Sequence, residues 1–301
     1  MKQTENSGKM NTNLPQTLID PKNGNLAFRI VSFDDNSYFD HIQRLNYYSV
    51  IIVSNGEGKL KADFSEYDFT TGTIMCFAPY QPFMLDTPKA LQGTVINFHP
   101  DFFCIHKHQK EVACNGVLFN TIYEPPLFTV TASDEELLSG LIQQMQAEMK
   151  GQALAQYELL VSYLKIFLIQ ASRIKTELMP DKVPATIKEP FILQDLKDAI
   201  EQHYKEKHMP ADYAQLLNIS QSALAKITKN HFNKTLTNLI SERIIIEAKR
   251  ELYLTAKPVK AIAYELGFDD EYYFSRFFKK NADVSPQLYR ETVGVARASM
   301  A

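Results

Sequence analysis

Ala261 to Arg290 read AIAYELGFDDEYYFSRFFKKNADVSPQLYR, two short helices joined by a tight turn. Ile262, Ala263 and Leu266 give the first helix a small apolar face, and Gly267 stops it, since glycine takes the left-handed conformation of a helix end without steric strain. Phe268 follows, and Asp269 or Asp270 can cap the second helix by accepting from its free backbone N–H groups. Tyr273, Phe274, Phe277 and Phe278 recur at spacings of three and four, which predicts one buried stripe. Glu271, Tyr272, Ser275, Arg276, Lys279 and Lys280 fall on the opposite face. Ser285-Pro286 then opens another helix, proline being favoured in a first turn. A helix–turn–helix with polar side chains opposite a packed aromatic face suits a DNA major groove. A plain helical hairpin in an all-α core is the bland alternative.

Ile262-Ala263, Gly267-Phe268, Tyr273-Phe274, Arg276, Phe278-Lys279-Lys280, Ser285-Pro286 and Tyr289-Arg290 resemble the signature of AraC/XylS-type bacterial transcription regulators. The resemblance runs upstream to about Ile192 and covers roughly the last third of the chain. It implies an α+β, multidomain architecture: an N-terminal cupin-like β-barrel with a helical dimerisation segment, and a C-terminal all-α double helix–turn–helix domain. The expected layout is a mobile start over 1–25, a β sensor over 26–130, dimerisation helices over 131–178, a linker over 179–190, the double helix–turn–helix over 191–292 and a tail over 293–301.

Residue by residue, the resemblance places base-reading positions at Ser222, Ala225 and Lys226 on the first recognition helix, and at Glu271, Tyr272, Ser275 and Arg276 on the second. A guanidinium matches guanine O6 and N7 bidentately, a carboxylate accepts from cytosine N4, and a ring can touch a thymine methyl. Lys229, Lys234, Lys279 and Lys280 are expected at phosphates, where they position without specifying. Asn218, Asn233 and Asp283 stand where the family commonly has glycine, and both residue types tolerate a left-handed turn.

Upstream of these helices the pattern changes. Phe28–Phe33, Tyr47–Val53, Gly58–Phe64, Thr73–Phe77 and Leu91–Phe98 are short runs rich in Val, Ile, Phe, Tyr and Thr, separated by turn residues. They predict an all-β sandwich or small barrel. Asp101 to Lys107 suggests a short helix. From Ser133 onward two helices are expected, divided near Gly151. In the second, Leu154, Tyr157, Val161, Leu164, Leu168 and Ala171 form one stripe and Leu160, Phe167 and Ile174 another. One stripe could cover the barrel while the other meets a second subunit, or both could be intrachain core. Leu178 to Pro190, with three prolines, reads as a semi-extended linker. Amphipathic helices follow at Phe191–Tyr204 (Phe191, Ile192, Leu196, Ile200), from Pro210 (Tyr213, Leu216, Leu217), after the cap Ser220 (Leu224, Ile227, Phe232) and over about Thr235–Thr255.

Composition bounds the rest. The chain has 301 residues, 45% apolar and 22% charged, with a net charge of −3, too balanced for a protein that simply coats nucleic acid. Residues 1–190 hold 16 Lys+Arg against 21 Asp+Glu, and residues 191–301 hold 16 against 14, a modest positive bias in the helical part. The polar start lacks an apolar leader core, and Leu159–Ile169 is too short and too interrupted to cross a bilayer, so a cytoplasmic protein is expected. Three cysteines, Cys76, Cys104 and Cys114, fit a reducing compartment. His99, Cys104, His106, His108 and Cys114 could ligate a metal, yet their spacing fits no common zinc pattern, and Pro82 or Phe83 stands where a cupin would place a ligand histidine. No metal and no cofactor are therefore expected. Neither a nucleophile–histidine grouping nor a glycine-rich phosphate loop is present, so an enzyme has no mechanism here. The expected partners are double-stranded DNA, RNA polymerase, a second copy of the chain and a small-molecule effector. A regulator whose β domain serves only assembly, and a cupin-type metalloenzyme, are the competing functions.

Overall fold

The computed structural model describes residues 15–20, 24, 26–35, 38–62, 65–108, 116–151, 153–178 and 191–293. The expected linker over 179–190 and nearly all of the tail over 293–301 lie outside the described residues, as does Cys114.

The fold is α+β. Its first half is two antiparallel sheets packed face to face. The larger has the strand order β1 (Gln16–Ile19), β2 (Leu26–Phe33), β8 (Gln92–Phe98), β3 (Tyr48–Asn55), β6 (Thr73–Phe77), β9 (Leu127–Thr129). The smaller is β5 (Ser65–Phe69), β4 (Gly58–Ala62), β7 (Phe83–Asp86). Alternate side chains of β3, β6 and β8 point to opposite faces. Ile51, Val53, Met75, Phe77 and Val95 face inward and pack on Leu60, Ala62, Phe83 and Leu85 of the smaller sheet. Val50, Ile52, Ile74, Cys76, Ile96 and Phe98 face outward beneath the helices. Because β3 is buried on both faces from Tyr48 to Val53, it shows a continuous apolar run in place of alternation.

Four strands have too little apolar signal to be read in advance. β5 and β7 carry charged residues on their exposed sides, β9 is three residues long, and β1 falls in the stretch expected to be mobile, where it pairs with β2. Residues 101–107 form turns instead of a helix, with His108 donating to the Cys104 carbonyl at 3.2 Å.

Two helices cover the outer face of the larger sheet. α1 (Ala132–Glu148) starts two residues earlier than Ser133 suggests: Thr131 is the cap, exchanging hydrogen bonds with Asp134 in a capping box. α2 (Gln156–Glu177) corrects the two-stripe expectation. Leu164, Leu168 and Ala171 of one stripe and Leu160, Phe167 and Ile174 of the other merge into one face buried against the sheet. Both stripes are thus intrachain core, and Leu154 and Tyr157 at the start are exposed. Leu159 and Ile166, one heptad apart, remain on the outer side.

The second half is helical: α3 (Phe191–His203), α4 (Pro210–Leu216), α5 (Gln221–Phe232), α6 (Leu236–Leu254), α7 (Val259–Glu265), α8 (Glu271–Ala282) and α9 (Pro286–Val293). α6 buries Leu236, Leu239, Ile240, Ile244, Ile245, Ala248 and Leu252, joining the helices on either side of it into one apolar core. Tyr80, Cys104 and Ile122 of the β half belong to that core too. Around it the two halves meet through side chains that reach backbone carbonyls. Lys249 Nζ donates to Pro79 O at 2.9 Å, Tyr253 Oη to Pro100 O at 3.1 Å, and Asn46 Nδ2 to Thr292 O at 3.1 Å. His99, buried, also reaches Thr292 O at 3.3 Å. Of the other candidate metal ligands, His108 stacks on Phe103, and Cys104 lies in the helical core. Among the described residues no group of three or more His, Cys, Asp or Glu is placed to hold a metal.

His106 sits at this seam beside Tyr253. Burial, with the Arg250 charge, pulls its imidazole down to about 4 from 6.5, against a smaller opposing effect of Glu247. A histidine depressed in the folded chain favours folding fully above its unfolded value and loses that advantage as the unfolded imidazole takes a proton. Stability should therefore fall between about pH 6.5 and about 4. His106→Asn should flatten that fall by up to roughly 3 kcal/mol, as read from urea unfolding across the window; an unchanged slope would refute the assignment.

Candidate nucleic-acid interface

The helical half holds two units built alike. α4 and α5 form the first, α7 and α8 the second. Each begins with a seven-residue helix ended by a residue in the left-handed region: Asn218 at φ 53° and Gly267 at φ 78°. At Gly267 the backbone leaves no room, since an added Cβ would collide with the Lys205 carbonyl oxygen. Asn218 takes the same conformation with a side chain present. Each second helix is then capped by a side-chain oxygen. Ser220 Oγ accepts from Ala223 N at 3.2 Å, and Asp270 accepts from Tyr272 N at 3.2 Å and Tyr273 N at 2.7 Å, so Asp270 is the cap of the pair weighed above. Both second helices are twelve residues long and both end in a left-handed residue, Asn233 at φ 55° and Asp283 at φ 60°.

The faces follow. α5 buries Leu224, Thr228 and Phe232, and α8 buries Phe274, Phe278 and Ala282 at the matching positions, fifty residues later. Outward from these stand the expected base readers. Ser222, Ala225 and Lys226 are exposed on α5; Tyr272 and Arg276 are exposed on α8, with Glu271 and Ser275 half-buried between them. Lys226 and Arg276 occupy the same place, the sixth residue of each helix. Tyr273, expected in the buried stripe, is 57% exposed, and Arg276 lies 6.0 Å from its ring centroid. It joins the polar face because Phe268, tucked under the helix, fills the space its ring would have taken. Sequence periodicity counts aromatics and does not see which slot a preceding phenylalanine already holds.

The expected phosphate contacts divide. Lys229, Lys279 and Lys280 are exposed, and Lys229 Nζ also donates to Asn233 O at 3.0 Å at the end of its own helix. Lys234 is a correction. It is 3% exposed, pairs with Glu242 at 2.8 Å and donates to Ile122 O at 3.3 Å, so it ties the helical half to the β half and reaches no phosphate in this arrangement. Arg290, one of the signature residues, is structural as well: it donates to Lys257 O at 2.6 Å and Leu252 O at 3.3 Å, closing the end of α6.

The β half touches both second helices at their C-terminal ends and leaves the faces bearing Lys226 and Arg276 open. Ser65 Oγ donates to Asn233 O at 3.2 Å, and Arg44 pairs with Asp283 at 2.5 Å.

Two short helix pairs with exposed, equivalently placed cations define a helix–turn–helix protein, and comparison with known proteins bears on the class. Residues 213–292 match the family described as "Helix-turn-helix domain". The chain is 30% identical over 99 residues to the regulatory protein SoxS of Escherichia coli K12, covering 33% of this chain and 92% of SoxS. It is 29% identical over 96 residues to the raffinose operon transcriptional regulatory protein RafR of Pediococcus pentosaceus, covering 32% of this chain and 35% of RafR. The match thus spans about a third of the length of that relative. A longer likeness, 25% identical over 252 residues, covers 82% of this chain and 86% of the HTH-type transcriptional activator RhaS of Enterobacter sp. strain 638. The chain belongs to the AraC/XylS family of transcription regulators.

The two turns should respond oppositely to substitution. Gly267→Ala should destabilise the chain by at least about 2 kcal/mol, from the left-handed backbone and the carbonyl collision together. Asn218→Gly should stabilise it by about 0.5 kcal/mol. Equilibrium denaturation of both variants checks this; a neutral Gly267→Ala would mean the turn is not held as described.

Proposed function

We propose that this chain is a sequence-specific DNA-binding transcription activator that lays α5 and α8 into successive major-groove segments of one duplex. One observation carries this: Lys226 and Arg276, each the sixth residue of a capped twelve-residue helix, are both exposed on units joined by a single helix. α6, at 19 residues, is about 28 Å long, comparable with the ~34 Å between successive turns of the groove. Arg276 reads guanine, with Glu271, Tyr272 and Ser275 beside it; Lys226, Ser222 and Ala225 serve the first half-site more loosely. Lys229, Lys279 and Lys280 hold phosphates.

Activation through contact with RNA polymerase fits the activator named RhaS among the relatives. The β half is a cupin-type sensor for a small-molecule effector, and raffinose and arabinose operon regulators among the relatives favour an effector-responsive β half over one that serves assembly alone. A second copy docks on the outer side of α2, where Leu159 and Ile166 stand exposed one heptad apart. The protein acts in the cytoplasm; no described helix is long and apolar enough to cross a membrane.

Selection of bound duplexes from a random pool tests this directly and should return a bipartite site. On the selected site, Arg276→Ala should lose about 1–3 kcal/mol of preference at one base pair. Lys279→Ala should weaken all sequences evenly and reduce the salt slope by about 1. Even weakening by Arg276→Ala, or altered preference from Lys279→Ala, would overturn the roles given to them.

A further inference from the structure

The two helix pairs are built alike, but among the described residues a ring lies beside the exposed cation of the second alone. Tyr273 is the third residue of α8 and Arg276 the sixth, so their side chains are neighbours on one face of the helix. Long side chains on a helix lean back toward its N-terminus. Arg276 accordingly lies over the Tyr273 ring, 6.0 Å from its centroid. Its guanidinium makes no hydrogen bond and no ion pair among the described residues, whereas Arg44, Arg243 and Arg290 are each held by acceptors. All five of its donors stay available.

The ring is itself held in place. Tyr273 N donates to the Asp270 cap at 2.7 Å, which fixes the backbone in the first turn. Phe268, 3% exposed, stands 5.8 Å from the Tyr273 ring and packs in turn on Phe274 and Phe277. Burial does not account for Tyr273, which is more than half in solvent; its ring contacts are Phe268 and Arg276. In the first pair Ile219 takes the place of Phe268 and Ala223 that of Tyr273, and Lys226 has no ring beside it. An arginine free in solvent gives up rotamer freedom when it docks. A ring already beneath it lessens that loss, and a guanidinium lying over an aromatic face keeps its N–H edge outward, as a bidentate pair with guanine O6 and N7 requires.

We propose that Tyr273 is a positioning residue for base readout: braced by Phe268, its ring holds the Arg276 guanidinium ready for guanine and so concentrates sequence preference in the α8 half of the site. The inference rests on the reading of Arg276 as a guanine contact and adds to it the group that orders that contact before DNA arrives. The tyrosine hydroxyl has no part in it.

The test uses the full chain and the duplex selected from the random pool. Tyr273→Leu should lower the preference for guanine over adenine at the Arg276 base pair about two- to fivefold, the equivalent of an exposed cation–ring contact. Tyr273→Phe, which keeps the ring, should retain the preference. In the Arg276→Ala background, Tyr273→Leu should change it no further. Without DNA, nitrogen relaxation of the Arg276 Nε–H group should show tighter restriction in the parent chain and Tyr273→Phe than in Tyr273→Leu. Tyr273→Met is the second ring-free variant should Tyr273→Leu fail to fold. Equal losses in Tyr273→Phe and Tyr273→Leu would assign the effect to the hydroxyl. An undiminished loss in the Arg276→Ala background would make Tyr273 a DNA contact in its own right, and even weakening of all sequences would leave it a packing residue. Each of these overturns the proposal. If Arg276→Ala removes the guanine preference and Tyr273→Leu keeps it, positioning fails and the reading of Arg276 stands; if Arg276→Ala keeps the preference, that reading fails and this inference with it.

Discussion

The burial of one face of α6 is the constraint on which the rest depends. Leu236, Leu239 and Ile240 at its start pack with the first helix–turn–helix, Ala248 and Leu252 near its end with the second, and Ile245 lies between them, all in one continuous core. At about 0.8 kcal/mol for each buried methylene, no single ion pair at the surface competes with this face. The two helix pairs therefore cannot drift independently without opening that core, and the separation of Lys226 and Arg276 is set by a rigid rod. Tyr289 extends the same logic: buried between Phe278 and Tyr80, it fastens α9 to α8 on one side and to the β half on the other.

Turn chemistry places α5 and α8 on that rod. Four positions adopt the left-handed backbone around them, and only Gly267 does so with no Cβ to accommodate. Asn218, Asn233 and Asp283 replace the glycine expected by family pattern and hold the conformation through residue types whose short polar side chains tolerate it. These positions were legible in the sequence, as were the caps, because capping and left-handed turns are local: the residue types and spacing that satisfy free N–H groups within one helical turn are written next to each other. The buried faces of α5 and α8, and with them the exposure of Lys226 and Arg276, follow from the same short-range periodicity.

What the sequence hides is non-local. Lys234 looks like any basic residue at the end of a recognition helix, yet it is drawn into the seam by Glu242 and the Ile122 carbonyl. Lys175 behaves alike, buried on α2 with its Nζ on the Pro125 carbonyl at 2.8 Å. A carbonyl belongs to every residue, so no side-chain pattern announces that Pro79, Pro100, Pro125 or Thr292 will accept from a distant donor. The two stripes of α2 left two outcomes open in the sequence, and the structure takes the one in which both are intrachain core. A helical face wider than a coiled-coil seam is what a sheet needs above it, and periodicity alone cannot say whether a sheet or a second helix lies overhead.

The seam between the halves differs in kind from the cores on either side. It is held largely by single hydrogen bonds, each worth about 1 kcal/mol net, and by the Arg44–Asp283 pair, whose side chains are 41% and 40% exposed, so that screening leaves it at about 0.5 kcal/mol. Tyr80, Cys104 and Ile122 add apolar contact over a small patch. Together these amount to several kcal/mol, the same order as the ~5.5 kcal/mol of differential binding that carries a two-state equilibrium from one side to the other. The apolar core of either half exceeds that range several times over and would not yield to a small ligand. Relative movement of the two halves would therefore open at the seam, where Arg44 and Ser65 touch the C-terminal ends of α8 and α5. A change there moves α6 and both helix pairs as one body relative to the β half and leaves the helical core intact.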